Sequence, residues 1–314
     1  MPVDAQTNRR GQAILCADIG ATSAKAGFLD AEGELHYQGS VPTRPDAESF
    51  VDSLCWLIEQ TGIAAVQAGC EPCGLGVAVA GFLDDEREHF LYNSNISWLE
   101  GFPLRSRIAE RFEFPVEVEI DSNTACMAEY HFGSGRGSRR FLCLACGTGL
   151  GVGMAIDGKP LRFAYGCMGD IGHIIVKRDG PLCTCGGYGC AEIMVSAPAL
   201  ARQYKERKEI CGEVSLRDVI EAGQAGEPVA VSVLTEAGEW LGIAMASMAT
   251  TFFPDHIAIA GGLSAAGNLI LEPAERVFRH SAAIFAREQT TVSLATLGPM
   301  ATLIGAAWPF WGKD

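Results

Sequence analysis

Short apolar runs alternate with helical periodicities along this chain. Ala13-Ile-Leu-Cys-Ala-Asp18 reads as a buried strand ending at a glycine-containing turn. Ala24 to Leu29 predicts a second strand, and Asp30-Ala-Glu-Gly33 its hairpin exit. Phe50 to Thr61 places apolar residues at Phe50, Val51, Leu54, Leu57 and Ile58, which is a helical spacing. Gly74 to Ala80 predicts a buried strand, Leu104 to Phe112 a helix, and Val116 to Ile120 a strand. Asn123 to Phe132 predicts a helix and Phe141 to Leu144 a strand. After Gly212 the pattern turns helical, above all over Val229 to Phe253. A strand, His256 to Ala260, then runs into Gly261-Gly262-Leu-Ser. The chain closes with a strand (Thr291 to Leu297) and a helix (Met300 to Trp308). The first eleven residues read as a loose terminus, and no linker or low-complexity segment interrupts the rest.

An internal repeat is the most informative feature of this layout. At a constant offset of 127, Leu15 matches Leu142, Cys16 matches Cys143, Gly20 matches Gly147 and Asp30 matches Asp157. Both copies read as strand, glycine turn, strand and acidic hairpin. The matches are few, and two such units could look alike by chance. A true repeat would mean two similar α/β halves, each offering a turn of backbone amides to one cleft, where paired turns can embrace a polyphosphate.

The 314 residues suit two domains of ordinary size. With 48% hydrophobic and 20% charged residues the chain is neither disordered nor collagen-like. A formal charge of −14 argues against a general phosphate-seeking surface, so a nucleic-acid partner is not expected. A phosphorylated ligand would have to meet local positive potential, from amides and helix ends. The start is polar, so no signal peptide is expected. The longest uncharged run, Thr290 to Gly312, reads as strand, turn and buried helix rather than a membrane span. A soluble, cytoplasmic protein is the expectation.

In a long, unsignalled chain the 12 cysteines read as thiols or metal ligands rather than a disulfide frame. Cys16, Cys55, Cys126, Cys143 and Cys211 sit in apolar or helical contexts and are expected to be small core residues. His173, Cys183, Cys185 and Cys190 differ. One imidazole and three thiolates make a closed tetrahedral set, the make-up of a structural zinc site. Gly180, Gly186, Gly187 and Gly189 let the backbone wrap an ion. A redox-active or idle thiol cluster is the alternative.

Phosphate-binding signals are split over three turns. Asp18-Ile-Gly20-Ala-Thr22-Ser-Ala-Lys25 closes the first strand: Gly20 permits close approach, Thr22 offers a hydroxyl, and Asp18 can hold Mg²⁺ through water. Cys146-Gly147-Thr148-Gly149 closes the second copy, and Gly261-Gly262 follows a third strand. None is a Walker A loop. Asp121, in Glu119-Ile-Asp121-Ser-Asn123, sits between a strand and a helix, where α/β ligands bind. It reads equally as a general base or as a helix N-cap. Asn95 and Trp98 fall in a polar loop suited either to sugar recognition or to plain surface and core. Glu192, two residues past the last cysteine, is either an exposed helix residue or a ligand fixed by the metal loop.

From about Ile14 to Trp308 these residues resemble the ROK family (repressor, open reading frame, kinase), within the actin-like and hexokinase-like ATPases. Gly169-Asp170-Ile-Gly172-His173 and Cys183-Thr-Cys185-Gly-Gly-Tyr-Gly189-Cys190-Ala-Glu192 resemble its Glu-x-Gly-His and zinc-cysteine signature. Asp18 to Lys25 looks like its first phosphate motif, Gly147-Thr148-Gly149 its second, and Gly261-Gly262 its adenosine motif. The resemblance implies an α/β fold of two ribonuclease H-like (actin-like ATPase) domains, with mixed sheets flanked by helices and a cleft between them. It implies a small domain, 1–120 plus 299–314, and a large one, 121–298, carrying the zinc loop.

By the same resemblance, Asp121 falls on the catalytic aspartate, and Asn95, Asp170, His173 and Glu192 fall on sugar-binding positions. Gly20, Thr22, Lys25, Gly147, Thr148, Gly149, Gly261 and Gly262 would hold ATP, with Mg²⁺ near Asp18 and a structural Zn²⁺ on His173 and the three cysteines. The implied protein is a glucokinase-like ATP:hexose phosphotransferase acting on the C6 hydroxyl of glucose or a related hexose or N-acylhexosamine, as a homodimer. ROK regulators carry an N-terminal helix-turn-helix, and the first phosphate motif begins too early here for one. Two departures bear on the sugar: Ile120 stands where the family usually has Asn, and Asp170 where it has Glu. They favour the rival, a sugar-binding regulator with little kinase activity, while the intact phosphate turns and the candidate base Asp121 disfavour it. A zinc-dependent nucleic-acid binder is a second rival, and the −14 charge opposes it.

Overall fold

The structure, a computed structural model, describes residues 11–43, 46–93 and 95–311. Of the expected loose terminus only Gly11 falls within them, and Gly312, the end of the uncharged run, lies outside the described residues. The chain forms two compact units. One runs to Ala128 and also takes Arg162–Gly169 and the end of the chain from Met300; the other comprises Glu129–Leu161 and Asp170–Pro299.

The first unit contains β1 (Gln12–Ile19), β2 (Ser23–Leu29), β3 (Leu35–Pro42), α1 (Ala47–Gln67), β4 (Glu71–Val79), β5 (Phe82–Leu83), β6 (Phe90–Tyr92), α2 (Leu104–Ala109) and β7 (Val116–Ile120). Helix α3 (Asp121–Phe132) begins in it. The sheet order is β3-β2-β1-β4-β7, with β1 antiparallel to β2 and parallel to β4. Helix α1 starts three residues before its expected apolar face because Asp46 caps it, accepting the Glu48 and Ser49 amides at 3.1 and 3.3 Å. It turns Phe50, Leu54, Ile58 and Ala65 into the core, and Gly69, at φ +82°, follows its end. Helix α2 stops at Ala109, short of the expected Phe112. Arg111 and Phe112 donate three residues back, to Ile108 and Ala109, so the last turn tightens.

The second unit contains β8 (Arg140–Cys146), β9 (Leu150–Ile156), β10 (Lys159–Pro160), α4 (Ala191–Val195), α5 (Ala197–Lys208), α6 (Leu216–Gln224), α7 (Pro228–Phe252), β11 (His256–Ala260), α8 (Asn268–Ser281), α9 (Ile284–Gln289) and β12 (Thr291–Leu294). Its sheet order is β10-β9-β8-β11-β12. Helix α10 (Ala301–Ala306) returns to the first unit. Helix α7 is long and apolar enough to cross a membrane by length and composition, yet 56% of its apolar window is buried against the protein.

Both sheets follow one plan: a hairpin whose first strand is central, a third strand beyond the hairpin, and two parallel strands on the other side. The repeat is therefore real in topology, but the constant offset holds only up to the turn. Cys16 pairs with Gly27 in the first hairpin, and Cys143 with Gly153 in the second, so the second turn is one residue shorter.

Three expectations change. The strand expected to reach Leu297 ends at Leu294, because the buried Glu129 carboxylate accepts the Thr296 and Leu297 amides, at 3.0 and 2.7 Å, and draws them out of the ladder. The closing helix covers only 301–306 before Trp308–Phe310 tightens into a 3₁₀ turn around Pro309. Cys16, Cys55, Cys126 and Cys143 are buried as expected, but Cys211 is exposed in the loop after α5. Its apolar neighbour Ile210 gave a core-like context to what is a helix exit.

Candidate functional site

In the first unit, β1 ends at Asp18-Ile19 and the turn Gly20–Thr22 follows. The Gly20 amide donates to Ser23 O at 3.1 Å. Thr43 closes the turn from outside: its hydroxyl donates to Gly20 O at 2.8 Å and its amide to Thr22 O at 3.0 Å. Thr22 is exposed, and Lys25 stands opposite Asp18 in the β1–β2 register. Parallel pairing aligns β7 with β4 and β4 with β1. Ile120 is thus the end of the sheet's edge strand, and Asp121 is the first residue of α3.

Burial pushes the Asp121 carboxyl up to about 7, and the Asp18 carboxylate adds to this. The Ser122 amide, donating at 2.7 Å, works against both. That bond goes to the next residue in the chain, not to the amide two or three residues on that an N-cap takes. Asp18 is also raised by burial, with Lys25 opposing. One carboxyl group is thereby poised at neutral pH beside another. Asn95 stands exposed in the loop after β6, its amide turned back onto Asn93 Oδ1 at 2.8 Å. Trp98, partly buried, packs edge-on against the core residue Phe50 at 5.3 Å, so it covers the core. Ile120 is 4% exposed and packs in the core.

In the second unit the expected metal ligands come together. The donor atoms of His173, Cys183, Cys185 and Cys190 all lie within 4.8 Å of one another. Cys183 Sγ is 3.5 Å from His173 Nδ1, and Cys185 Sγ is 3.6 Å from Cys190 Sγ. A tetrahedral zinc with bonds of about 2.0–2.3 Å requires donor separations of about 3.5–3.8 Å, so the residues fit this ion. Burial and the neighbouring thiols push Cys190 up to about 12, an arrangement that a dication would reverse. The loop closes on itself through Cys183 N to Gly187 O at 2.7 Å, and Gly189 adopts φ +66° where it meets Lys177.

The His173 ring faces two ways. Its Nδ1 points to the thiols, while Nε2 lies 3.7 Å from Asp170 and 3.9 Å from Glu192. Burial and the Glu192 charge raise Asp170, and His173 opposes them. Glu192, on α4, also accepts the Leu150 amide at 2.9 Å. It thereby reaches the turn Gly147–Gly149. A Cβ at Gly149 would come within 2.5 Å of Glu192 Oε2, so only glycine admits this approach. Gly147 O accepts the Ala197 amide at 2.8 Å, and the Gly147 amide donates to Gly149 O at 2.9 Å. Thr148 is exposed between them. Gly261 lies against the Cys146 backbone with φ +78°, which brings the Gly261–Gly262 turn beside the Gly147 turn.

Two groups escaped the sequence reading. One is the Glu192–Leu150 bond, which has no sequence signal because it spans 42 residues. The other is a polar set next to Asp121: the buried Glu119 and Asn123 and the partly exposed Arg162. Its only sequence trace is the polar pair that brackets Asp121.

Residues 14–312 match the ROK family. The chain is 34% identical over 306 residues to a glucokinase of Streptomyces coelicolor, covering 92% of this chain and 95% of that one. It is 27% identical to a xylose repressor of Caldicellulosiruptor bescii, over 97% of this chain and 79% of the repressor. Among solved structures, a ROK family glucokinase from Streptomyces griseus in complex with glucose and AMPPNP superposes with a TM-score of 0.82. It is 35% identical, over 94% of this chain and 98% of that one. The two five-stranded mixed sheets flanked by helices are the actin-like ATPase fold of such structures.

Proposed function

The chain belongs to the ROK family, and on that footing we propose that it phosphorylates a hexose hydroxyl with Mg-ATP. The observation that carries this reading is the Asp18–Asp121 carboxyl pair at the end of β1 and the start of α3. A carboxyl raised to about 7 is half ionised at neutral pH, which is where a general base works best. Asp121 takes the proton of the attacking hydroxyl, that on C6. The hydroxyl oxygen bonds to the γ-phosphorus as the bond to the ADP oxygen breaks. The glucokinases among its relatives, and the glucose and AMPPNP bound to one of them, support this substrate class and donor.

In this reading, the turns at Gly20–Thr22 and Gly147–Gly149 meet the phosphates through amides and hydroxyls, and Lys25 supplies positive charge. The Gly261–Gly262 turn meets the adenosine. Asp18 would hold Mg²⁺ through water, and that ion would neutralise charge on the phosphates. Asn95, Asp170, His173 and Glu192 bind the sugar hydroxyls. A zinc ion on His173, Cys183, Cys185 and Cys190 would leave His173 Nε2 as a neutral donor toward the sugar, because Nδ1 is taken. Closed four-ligand coordination has no open position, so its role is to orient the loop.

One second reading has an observation behind it. Ile120 lies in the core and offers no polar group, and a xylose repressor is among the relatives. A sugar-binding regulator would bind hexose without consuming ATP. ADP release from Mg-ATP across a hexose panel, run beside Asp121→Asn, separates the two. Turnover with one sugar, lost in the variant, supports the kinase. Sugar-dependent thermal shifts with no turnover support the regulator.

A further inference from the structure

The segment Arg162–Gly169 packs with the first unit, although the chain on both sides of it belongs to the second. It crosses the β7–α3 junction that carries Asp121, and its last residue is bonded to Asp170. Its aromatic side chains do not hold it, since Phe163 and Tyr165 are 67% and 60% exposed. Polar ties do. Asn123, fully buried, donates from Nδ2 to Gly166 O at 2.8 Å and to Glu119 Oε1 at 2.9 Å. The other Glu119 oxygen is ion-paired with Arg162. Leu83 N donates to Tyr165 O at 3.3 Å, and Tyr165 N to Asp85 Oδ1 at 3.0 Å. Gly166, at φ +76°, lies over Ile120, whose Cδ1 would be 3.0 Å from a Cβ there.

The orientation of the Asn123 amide is fixed by chemistry. Both neighbours of Nδ2 are acceptors, so turning the oxygen toward them would oppose like charges. Oδ1 consequently points where, among the described residues, no donor answers it, despite complete burial. Buried amides are ordinarily satisfied at both ends. This one is held by what its nitrogen does.

We propose that Asn123 and Arg162 are positioning residues: they fasten the Arg162–Gly169 strap to the strand–helix junction of the base, and so fix where the chain emerges into the sugar-contacting residues Asp170 and His173. The proposal rests on the kinase reading above for its kinetic arm only. Asn123→Leu keeps the shape and removes both donations. Arg162→Met breaks the pair with Glu119 at a partly exposed side chain, so it tests the idea even where Asn123→Leu fails to fold. Arg162→Lys keeps the charge.

In each disabling variant the sugar KM should rise about tenfold while the ATP KM stays within about twofold, and Arg162→Lys should recover most of the loss. Chymotryptic cleavage at Phe163 and Tyr165 should quicken about tenfold in the same variants, with zinc content unchanged. A variant that merely destabilised the fold would lower the active fraction without this split between the two substrates. Wild-type sugar KM and wild-type cleavage in both disabling variants overturn the proposal. If the native protein turns over no sugar, the kinase reading fails, and the cleavage rates alone then uphold or overturn the strap's anchoring.

Discussion

The two hairpins of this molecule share a plan and differ in how their turns are finished. β1–β2 and β8–β9 occupy equivalent places in their sheets, with Cys16 and Cys143 buried at matching positions. The first turn, one residue longer, follows a strand that carries Asp18, and a second carboxyl group, Asp121, stands close enough to be raised by its charge. The second turn has no acid of its own. It is fastened from outside by Glu192, which arrives on a helix that starts beside the last cysteine of the thiol cluster. One scaffold thus supports two chemistries. Beside the strand end that carries an acid, burial and like charge raise a neighbouring carboxyl group. Where it carries none, a distant carboxylate orders the amides. The difference lies in side chains at strand ends, which backbone pairing leaves free to vary.

The largest effect is expected at Asp121, the acid raised by the first turn's Asp18. Asp121→Asn should lower kcat about 10²- to 10⁴-fold with sugar affinity largely kept, as steady-state kinetics and a sugar titration will read. Near-normal kcat would end the assignment of Asp121 as base. In the native protein, log kcat/KM should fall with unit slope as pH drops below about 7, since a protonated Asp121 accepts no proton.

Next in size is the His173–Cys190 loop, which leads into the helix that brings Glu192 to the second turn. Cys185→Ser should lose bound zinc and about 4 kcal/mol of stability together, measured by metal analysis and denaturant melts. A zinc-free variant that melts normally would detach the loop from the turn it braces.

The same aspartate also predicts a stability effect of opposite sign. Its folded carboxyl is raised above the unfolded value of 3.8, so ionising it works against folding. The penalty is absent below about pH 4 and complete above about pH 7. Asp121→Asn should therefore stabilise the fold by up to about 4 kcal/mol at pH 8 and by little at pH 4. An equal gain at both pH values would contradict the shift.

Gly149→Ala should displace Glu192 from the Leu150 amide and cost about 1–2 kcal/mol, while Gly147→Ala, whose Cβ meets nothing within 4 Å, should cost less. The smallest effect sharpens the likeness itself. Cys16→Ala and Cys143→Ala should each cost about 1 kcal/mol and agree within about 0.5 kcal/mol. A larger gap would mean that the two hairpins are less equivalent than their pairing.

Much of this was legible in the chain. β1, β2, β7, β11 and α7 fall within a residue or two of their expected bounds, because a buried strand or long helix writes its period locally. The three cysteines and His173 were legible as a donor set, since donor type and glycine spacing are properties of a short segment. Helix α5 was not: it is polar, and its buried face is reduced to Ala199, Leu200, Ala201 and Tyr204. The end of β12 was not, because Glu129, 167 residues earlier, takes its continuation.

The sequence by itself determined the α/β class and the list of groups able to do chemistry, since each is carried by neighbours along the chain, and it only suggested the twofold repeat, which the sheet topology established. Only the tertiary structure decided what those groups are. It set Asp121 against Asp18 and turned a plausible helix cap into an acid poised near neutrality. It sent Ile120 into the core, Glu192 to the Leu150 amide, and Asn123 to a carbonyl 43 residues away. A side chain's proton affinity and partners follow from burial and nearby charge, and these are set by residues that meet only when the chain has folded.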